Sequence, residues 1–320
     1  MASLFTVFGL KVTAYAVGIT VAAATALVFC SRRCARMELQ ANTWGTLAVL
    51  VLPLGLICAR LFYCLARIQT YLHDLGGIAA ILRCWEGGYA LWGALFGAVL
   101  TAVIAGKITR QKTSLLLDAL APSLALFVML ERFSEYFDSR LGYGMPVRAP
   151  FLQRFPFAVF NTLWWDWMLA ICAVEGLAAL AILFVLLRKN RKTGDTARLF
   201  FVLYSACQIV LESMRRDSVP KWLFVRVYQL TAVIVLTMMM IAALIRWARN
   251  KAENRMKAKS MIANWAIFAA CVGIVVAMEF AVDGKTLYTL PTWCIYGIMV
   301  LCCAIMGFVS CQIIFRHSKA

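Results

Sequence analysis

Nine apolar runs of roughly twenty residues, near 12–30, 45–64, 89–106, 114–131, 167–187, 197–214, 224–245, 262–281 and 289–313, leave this chain few ways to fold. Inside a bilayer no water satisfies the peptide groups, so a segment of that length must close its own hydrogen bonds as an α-helix. With 63% hydrophobic residues and a mean hydropathy of +0.81, the 320-residue chain lies far from the composition of water-soluble domains. The expected fold class is an all-α polytopic membrane protein. A water-soluble pair of domains is excluded.

Thirty-two Lys and Arg against fifteen Asp and Glu give a formal charge of +17, which in a soluble chain would suggest nucleic acid. The positions argue otherwise, because the basic residues sit in short connections between apolar runs. Alternate connections, with Arg32, Arg33 and Arg36, then Lys107, Arg110 and Lys112, then 188–198, 246–259 and the C-terminal tail, hold nineteen bases against only Glu38, Asp195 and Glu253. Cytoplasmic loops carry such an excess, so the N-terminus is expected outside and the C-terminus in the cytoplasm. The basic run 246–260 reads as a solvated cytoplasmic linker rather than a surface helix resting on anionic headgroups.

The cysteines yield no metal site. Cys58, Cys172, Cys207, Cys271, Cys302 and Cys303 fall inside apolar runs, no C-x-x-C pair occurs, and the chain has two histidines. They read as small buried hydrophobes. The first run lacks a basic leader and a small-residue cleavage site, so it is expected to be retained as a helix.

Function is sought where charge enters the apolar runs. The segment DALAPSLALFVMLERFSEYF (118–137) carries Asp118, Glu131, Arg132 and Glu135 at or near membrane depth. A charge there costs about 2.5 to 3.5 kcal/mol on insertion scales, so these groups must face protein or a water-filled cavity. Within or beside the first seven runs the polar set comprises Tyr15, Arg60, Asp118, Arg132, Glu135, Asp166, Glu175, Gln208, Glu212, Arg215 and Gln229. Two readings stay open at this point. The charges pair across helices, for example Glu212 with Arg215 or Arg60 with Asp118, and fix the bundle. Alternatively Arg60, Arg132 and Arg215 hold a phosphate, whose oxygens the guanidinium fork matches. Gly87, Gly88, Gly93 and Gly97 mark a helix start and a small-residue face for close packing. No Ser-His-Asp set, H-E-x-x-H or phosphate-binding glycine loop can be assembled.

WEGGYALWGALFGAV, the segment around Arg132 and VLESMRRDSVP occur in an order that resembles the prolipoprotein diacylglyceryl transferase family. LKVTAYAVG (10–18), LGLICARLFYCL (54–65) and VEGLAAL (174–180) are similar to further family segments, so the resemblance covers roughly residues 10–245. It implies a seven-helix enzyme of the bacterial cytoplasmic membrane. Such an enzyme moves diacylglyceryl from phosphatidylglycerol onto the lipobox cysteine thiol of a preprolipoprotein and releases glycerol phosphate. The implied partners are those two substrates and membrane lipids, with no cofactor, no metal and no nucleic acid.

Residue by residue, the resemblance makes Tyr15, Arg132 and Glu212 the expected catalytic set. Arg60, Arg132, Arg215, Glu135 and Gln208 become the expected phosphate-binding set. Glu131 and Glu135 stand where the family has glycine and asparagine, Trp92 where its histidine begins H-G-G, and Gln208 where it has an arginine. The segment WDWMLAI (165–171) stands where it has H-P-S-Q-L-Y-E. These departures support a second reading, a paralogue that binds phospholipid without transferring anything. The expected organisation is a seven-helix domain over 1–245, the basic linker 246–260 and a C-terminal helix pair over 261–320, read as an appendix.

Overall fold

Each apolar run closes into a helix in the computed structural model. It describes residues 3–7, 10–73, 78–84, 87–137, 144, 146–154, 158–161, 164–166, 168–187, 192–215, 220–222, 225–249, 258–282 and 290–315. In chain order the helices are α1 (Ala14–Arg36), α2 (Ala41–Ala66), the short α3 (Ile68–His73), α4 (Leu91–Thr109), α5 (Thr113–Glu135), α6 (Met168–Leu186), α7 (Asp195–Met214), α8 (Val227–Arg249), α9 (Ala258–Val282) and α10 (Thr292–Phe315). Among the described residues, eight helices are long and apolar enough to cross a membrane, and α6 adds the shorter apolar stretch Val174–Leu186. The all-α polytopic class therefore holds, the described residues giving six long spans and the shorter α6 up to α8, and two long spans after it. Among the described residues, strands are confined to three two-stranded antiparallel ribbons, Ser3–Val7 with Leu10–Thr13, Val159–Asn161 with Trp164–Asp166, and Lys221–Trp222 with Val225–Arg226. Residues 250–257 of the basic linker lie outside the described residues.

The helices segregate into two compact units, residues 23–124 and residues 1–22 together with 125–320. In the first, Cys30 and Cys34 of α1, Leu47 of α2, Ala102 and Ala105 of α4, and Leu116, Ala119 and Leu120 of α5 share one core. Lipid tails are as apolar as leucine, so helices in a membrane associate by close packing, and small residues permit it. A methyl on Gly97 would lie 2.6 Å from the Leu54 carbonyl oxygen, and one on Gly93 would collide with the backbone of Cys58 and Ala59. The spacing of four residues thus lays α4 directly on α2.

In the second unit α7 is the most enclosed helix, packed by α6, α8 and α10. Almost all its residues are buried, including Asp195, Gln208 and Glu212. On one side Gly307 of α10 comes within ordinary contact of Ala206 and Leu203, at 3.6 and 3.7 Å from its would-be methyl. An enclosed helix needs no uniformly apolar face, so α7 carries polar groups that a lipid-facing helix would not tolerate.

Candidate active site

The polar residues of the second unit converge at the C-terminal ends of α5 and α7. Arg132 lies on the last turn of α5, three residues before Glu135 and so on the same helix face. Its Nη1 is 2.6 Å from Glu135 Oε1, and its Nε is 2.9 Å from Glu175 Oε2 on α6 and 3.6 Å from Glu131 Oε2. Arg215 follows the end of α7, where the backbone turns extended (φ −79°, ψ 146°). Its Nη1 is 2.8 Å from Glu135 Oε2 and 3.0 Å from Glu175 Oε2, and its Nη2 is 3.1 Å from Glu135 Oε1.

Two guanidiniums therefore share two carboxylates, Glu135 and Glu175, in a closed ring of charge. All four groups, with Glu131, are between 2 and 6% exposed. Burial removes water as a competitor, so each ion pair depends on the others to offset its desolvation. Glu131, Glu135 and Glu175 face Arg132 and Arg215, three carboxylates against two guanidiniums. Glu131 is the least compensated of the three: among the described residues, beside the long approach of Arg132, it accepts a single 3.5 Å hydrogen bond, from the Tyr15 hydroxyl on the first turn of α1. Among the described residues, its buried Oε2 meets no hydrogen-bond donor.

Next to this ring, Glu212 on α7 receives Arg226 Nη1 at 3.4 Å. Gln208 is buried one turn earlier on α7, and Gln229 of α8 donates to the Ile209 carbonyl at 2.9 Å. Tyr15, Arg132, Glu135 and Arg215, all expected from the sequence, thus fall within one network, with Glu212 beside it. Glu131, Glu175 and Arg226 were missed as site residues. A lone glutamate in the apolar helix α6 was the signal for Glu175, because an intramembrane carboxylate needs a reason to be there.

Arg60, in the first unit, has a different setting. All five of its N–H donors meet backbone carbonyls of the connection before α4: Nε to Ile81 at 3.2 Å, Nη2 to Ala80 and Arg83 at 3.2 and 3.0 Å, and Nη1 to Gly87 and to Gly88 at 3.3 Å. Five donors to five carbonyls use the whole capacity of the side chain, so Arg60 organises this connection and, in this arrangement, offers no N–H to a phosphate. Nor does it form the expected pair with Asp118. The Tyr71 ring lies 5.6 Å from its guanidinium carbon, close enough for a cation–π contact. Gly88 takes φ +81°, which favours glycine, and a methyl there would strike the Tyr63 ring. Trp92 is buried and packs near Phe96, with ring centroids 6.0 Å apart.

The bundle and its buried cluster define a multi-pass integral membrane protein with an ionic site assembled from three of its helices. A family profile described as prolipoprotein diacylglyceryl transferase matches residues 2–248, and the chain belongs to that family. Among similar proteins, all named phosphatidylglycerol–prolipoprotein diacylglyceryl transferase, one from Frankia alni is 27% identical over 247 residues, covering 72% of this chain and 62% of its own. Those from Halalkalibacterium halodurans (27% identical, 71% of this chain and 78% of the relative) and Bacillus velezensis (25%, 77% and 92%) are covered more fully. Helices α9 and α10 lie beyond the matched residues.

Proposed function

We propose that this protein transfers diacylglyceryl from phosphatidylglycerol to the lipobox cysteine of a preprolipoprotein, in a bacterial cytoplasmic membrane. The observation that carries this reading is the pair of guanidiniums, Arg132 and Arg215, held side by side inside the membrane domain of a chain of this family. In the reaction a cysteine sulfur attacks the glycerol carbon that bears the phosphate ester. The C–S bond forms, the C–O bond breaks, and glycerol phosphate leaves with the electron pair. The cysteine proton must go to a base.

Arg132 and Arg215 are the groups to neutralise the departing phosphate, which is the larger electrostatic demand of such a step. Glu135 and Glu175 hold the two forks aligned until the phosphate engages them. Glu131 takes the thiol proton, because it is the carboxylate that arginines compensate least. Tyr15, bonded to Glu131, orients it and the headgroup. Glu212 and Gln208 lie toward the same end of α7, while Arg60, in the other unit, fixes the backbone of the connection before α4.

A second reading has a specific observation behind it. Both arginines are already bridged by carboxylates, and Trp92 carries no proton acceptor, which suits a protein that binds phospholipid without transfer. Purified protein given phosphatidylglycerol and a lipobox peptide decides between them by mass spectrometry. A diacylglyceryl adduct that Arg132→Ala abolishes supports the enzyme. Headgroup binding without any adduct, under conditions where a relative with the histidine works, supports the binding protein.

The uneven loop charge supports an N-terminus outside and a C-terminus in the cytoplasm. Reporter fusions in 107–113 and 188–196 test it, since an external signal from either would reverse the topology. We further read 1–245 as the transferase domain and 246–260 as a basic linker to the C-terminal pair.

A further inference from the structure

We infer that helices α9 and α10, outside the matched family region, hold the C-terminal end of α7 and thereby position Arg215. Tyr296 of α10 and Glu279 of α9 act as the positioning residues. The inference rests on the proposed anion-binding role of Arg215.

The last carbonyls of a helix have no partner within it. At the end of α7, the Ser213 carbonyl receives the Tyr296 hydroxyl at 3.3 Å, and the Ser213 hydroxyl donates to both Glu279 oxygens at 3.1 and 3.0 Å. Ser213 lies two residues before Arg215 and next to Glu212. Tyr296 is almost wholly buried, so its hydroxyl makes this contact out of reach of solvent. Glu279 ends an apolar stretch of α9 that runs from Trp265, and a carboxylate there is costly in a membrane and calls for a specific partner.

A second tie reaches Arg215 from the connection after α5. Gly144 forms an isolated antiparallel bridge with Arg215, and Phe151 packs edge-on against Trp293 at the start of α10, with centroids 6.0 Å apart. Helix α10 therefore contacts both segments whose backbone fixes the Arg215 position. The close approach of Gly307 to Ala206 and Leu203 holds the two helices in register.

The test uses the full chain in detergent micelles and measures binding of phosphatidylglycerol against phosphatidylethanolamine by native mass spectrometry. Tyr296→Phe and Ser213→Ala are expected to lower phosphatidylglycerol binding several-fold, while Glu279→Gln, whose amide oxygen still accepts, stays within twofold of wild type. In an Arg215→Gln background, Tyr296→Phe is expected to have no further effect, because it acts through that side chain. An equal loss in both backgrounds, or none in the first, overturns the inference. Hydrogen exchange at residues 209–215 gives a readout independent of lipid. Tyr296→Phe should speed exchange there and leave α6 unchanged, and unaltered exchange also overturns the proposal. A wild-type chain with no preference for phosphatidylglycerol sinks the lipid reading itself, before any variant is made, and the exchange result then decides the positioning role alone.

Discussion

Arg215 grips Glu135 as a two-pronged fork, Nη1 to Oε2 at 2.8 Å and Nη2 to Oε1 at 3.1 Å. A phosphate would ask for the same two N–H groups in the same geometry. The carboxylate thus holds the fork in one orientation, and it also competes with the proposed ligand.

That competition has a direction. Replacing Glu135 with asparagine leaves Glu131 and Glu175 to balance Arg132 and Arg215, and frees the fork for an anion. Glu135→Asn is expected to tighten phosphatidylglycerol binding roughly tenfold, the equivalent of about 1.4 kcal/mol. Titration by native mass spectrometry checks it, and weaker binding would mean that Glu135 is part of the ligand contact rather than its rival.

Removing both bridging carboxylates has the opposite effect on the fold. In Glu135→Gln with Glu175→Gln, the two buried guanidiniums lose the carboxylates that bridge them, and breaking a buried ion pair on one side costs about 3 to 5 kcal/mol. Thermal unfolding in detergent should show this loss, with partial recovery on adding phosphatidylglycerol, because a ligand that binds only the folded state stabilises it by mass action. An unchanged midpoint would show that the ring contributes little to stability.

Much of the architecture could be read from the residues, since apolar runs of membrane length admit only helices. Their ends could not. The run read as 12–30 continues as helix to Arg36, because Ser31 to Arg36 keep the helical bonding while Arg33 and Arg36 complement the C-terminal dipole. Gly93 and Gly97 announced a close helix contact, though not its partner α2. Arg132, Glu135 and Arg215 stood out as charges at membrane depth, but pairing is a three-dimensional property. Arg226 lies on a ribbon after α7, and nothing in its neighbourhood of the sequence links it to Glu212. Arg60 looked the same as the other arginines, yet its ligands are carbonyls, which every residue possesses. The docking of α10 on α7 was equally hidden, because small residues punctuate most membrane helices.

Arg60 supplies its own test. Lysine has three donors on a single nitrogen and cannot reach five carbonyls arrayed around a planar fork. Arg60→Lys should keep the charge and still loosen the connection 80–88. Trypsin cleavage after the exposed Arg83 is the measurement, expected to accelerate several-fold in the variant. Equal cleavage rates would show that the glycine turn, not Arg60, holds the segment.

The last prediction concerns the proton. A free cysteine thiol has a pKa of about 8.5, so only a few per cent is thiolate at neutral pH. If Glu131 accepts the proton during attack, wild-type transfer needs no prior ionisation, and its rate should change little between pH 7 and pH 8.5. In Glu131→Gln the carboxylates left in the ring, Glu135 and Glu175, stay bridged by Arg132 and Arg215, so the rate should track the thiolate fraction and rise with pH until the peptide thiol is ionised. A positioned base contributes about 10² to 10⁴ in rate. The variant is therefore expected to fall at least about a hundredfold behind at pH 7, with the gap closing above pH 8.5. Adduct formation by mass spectrometry across that range reads the two profiles. A loss by the same factor at every pH would assign Glu131 to the geometry of the Arg132 ring instead, where the glutamine would have disturbed the arginine that the phosphate needs.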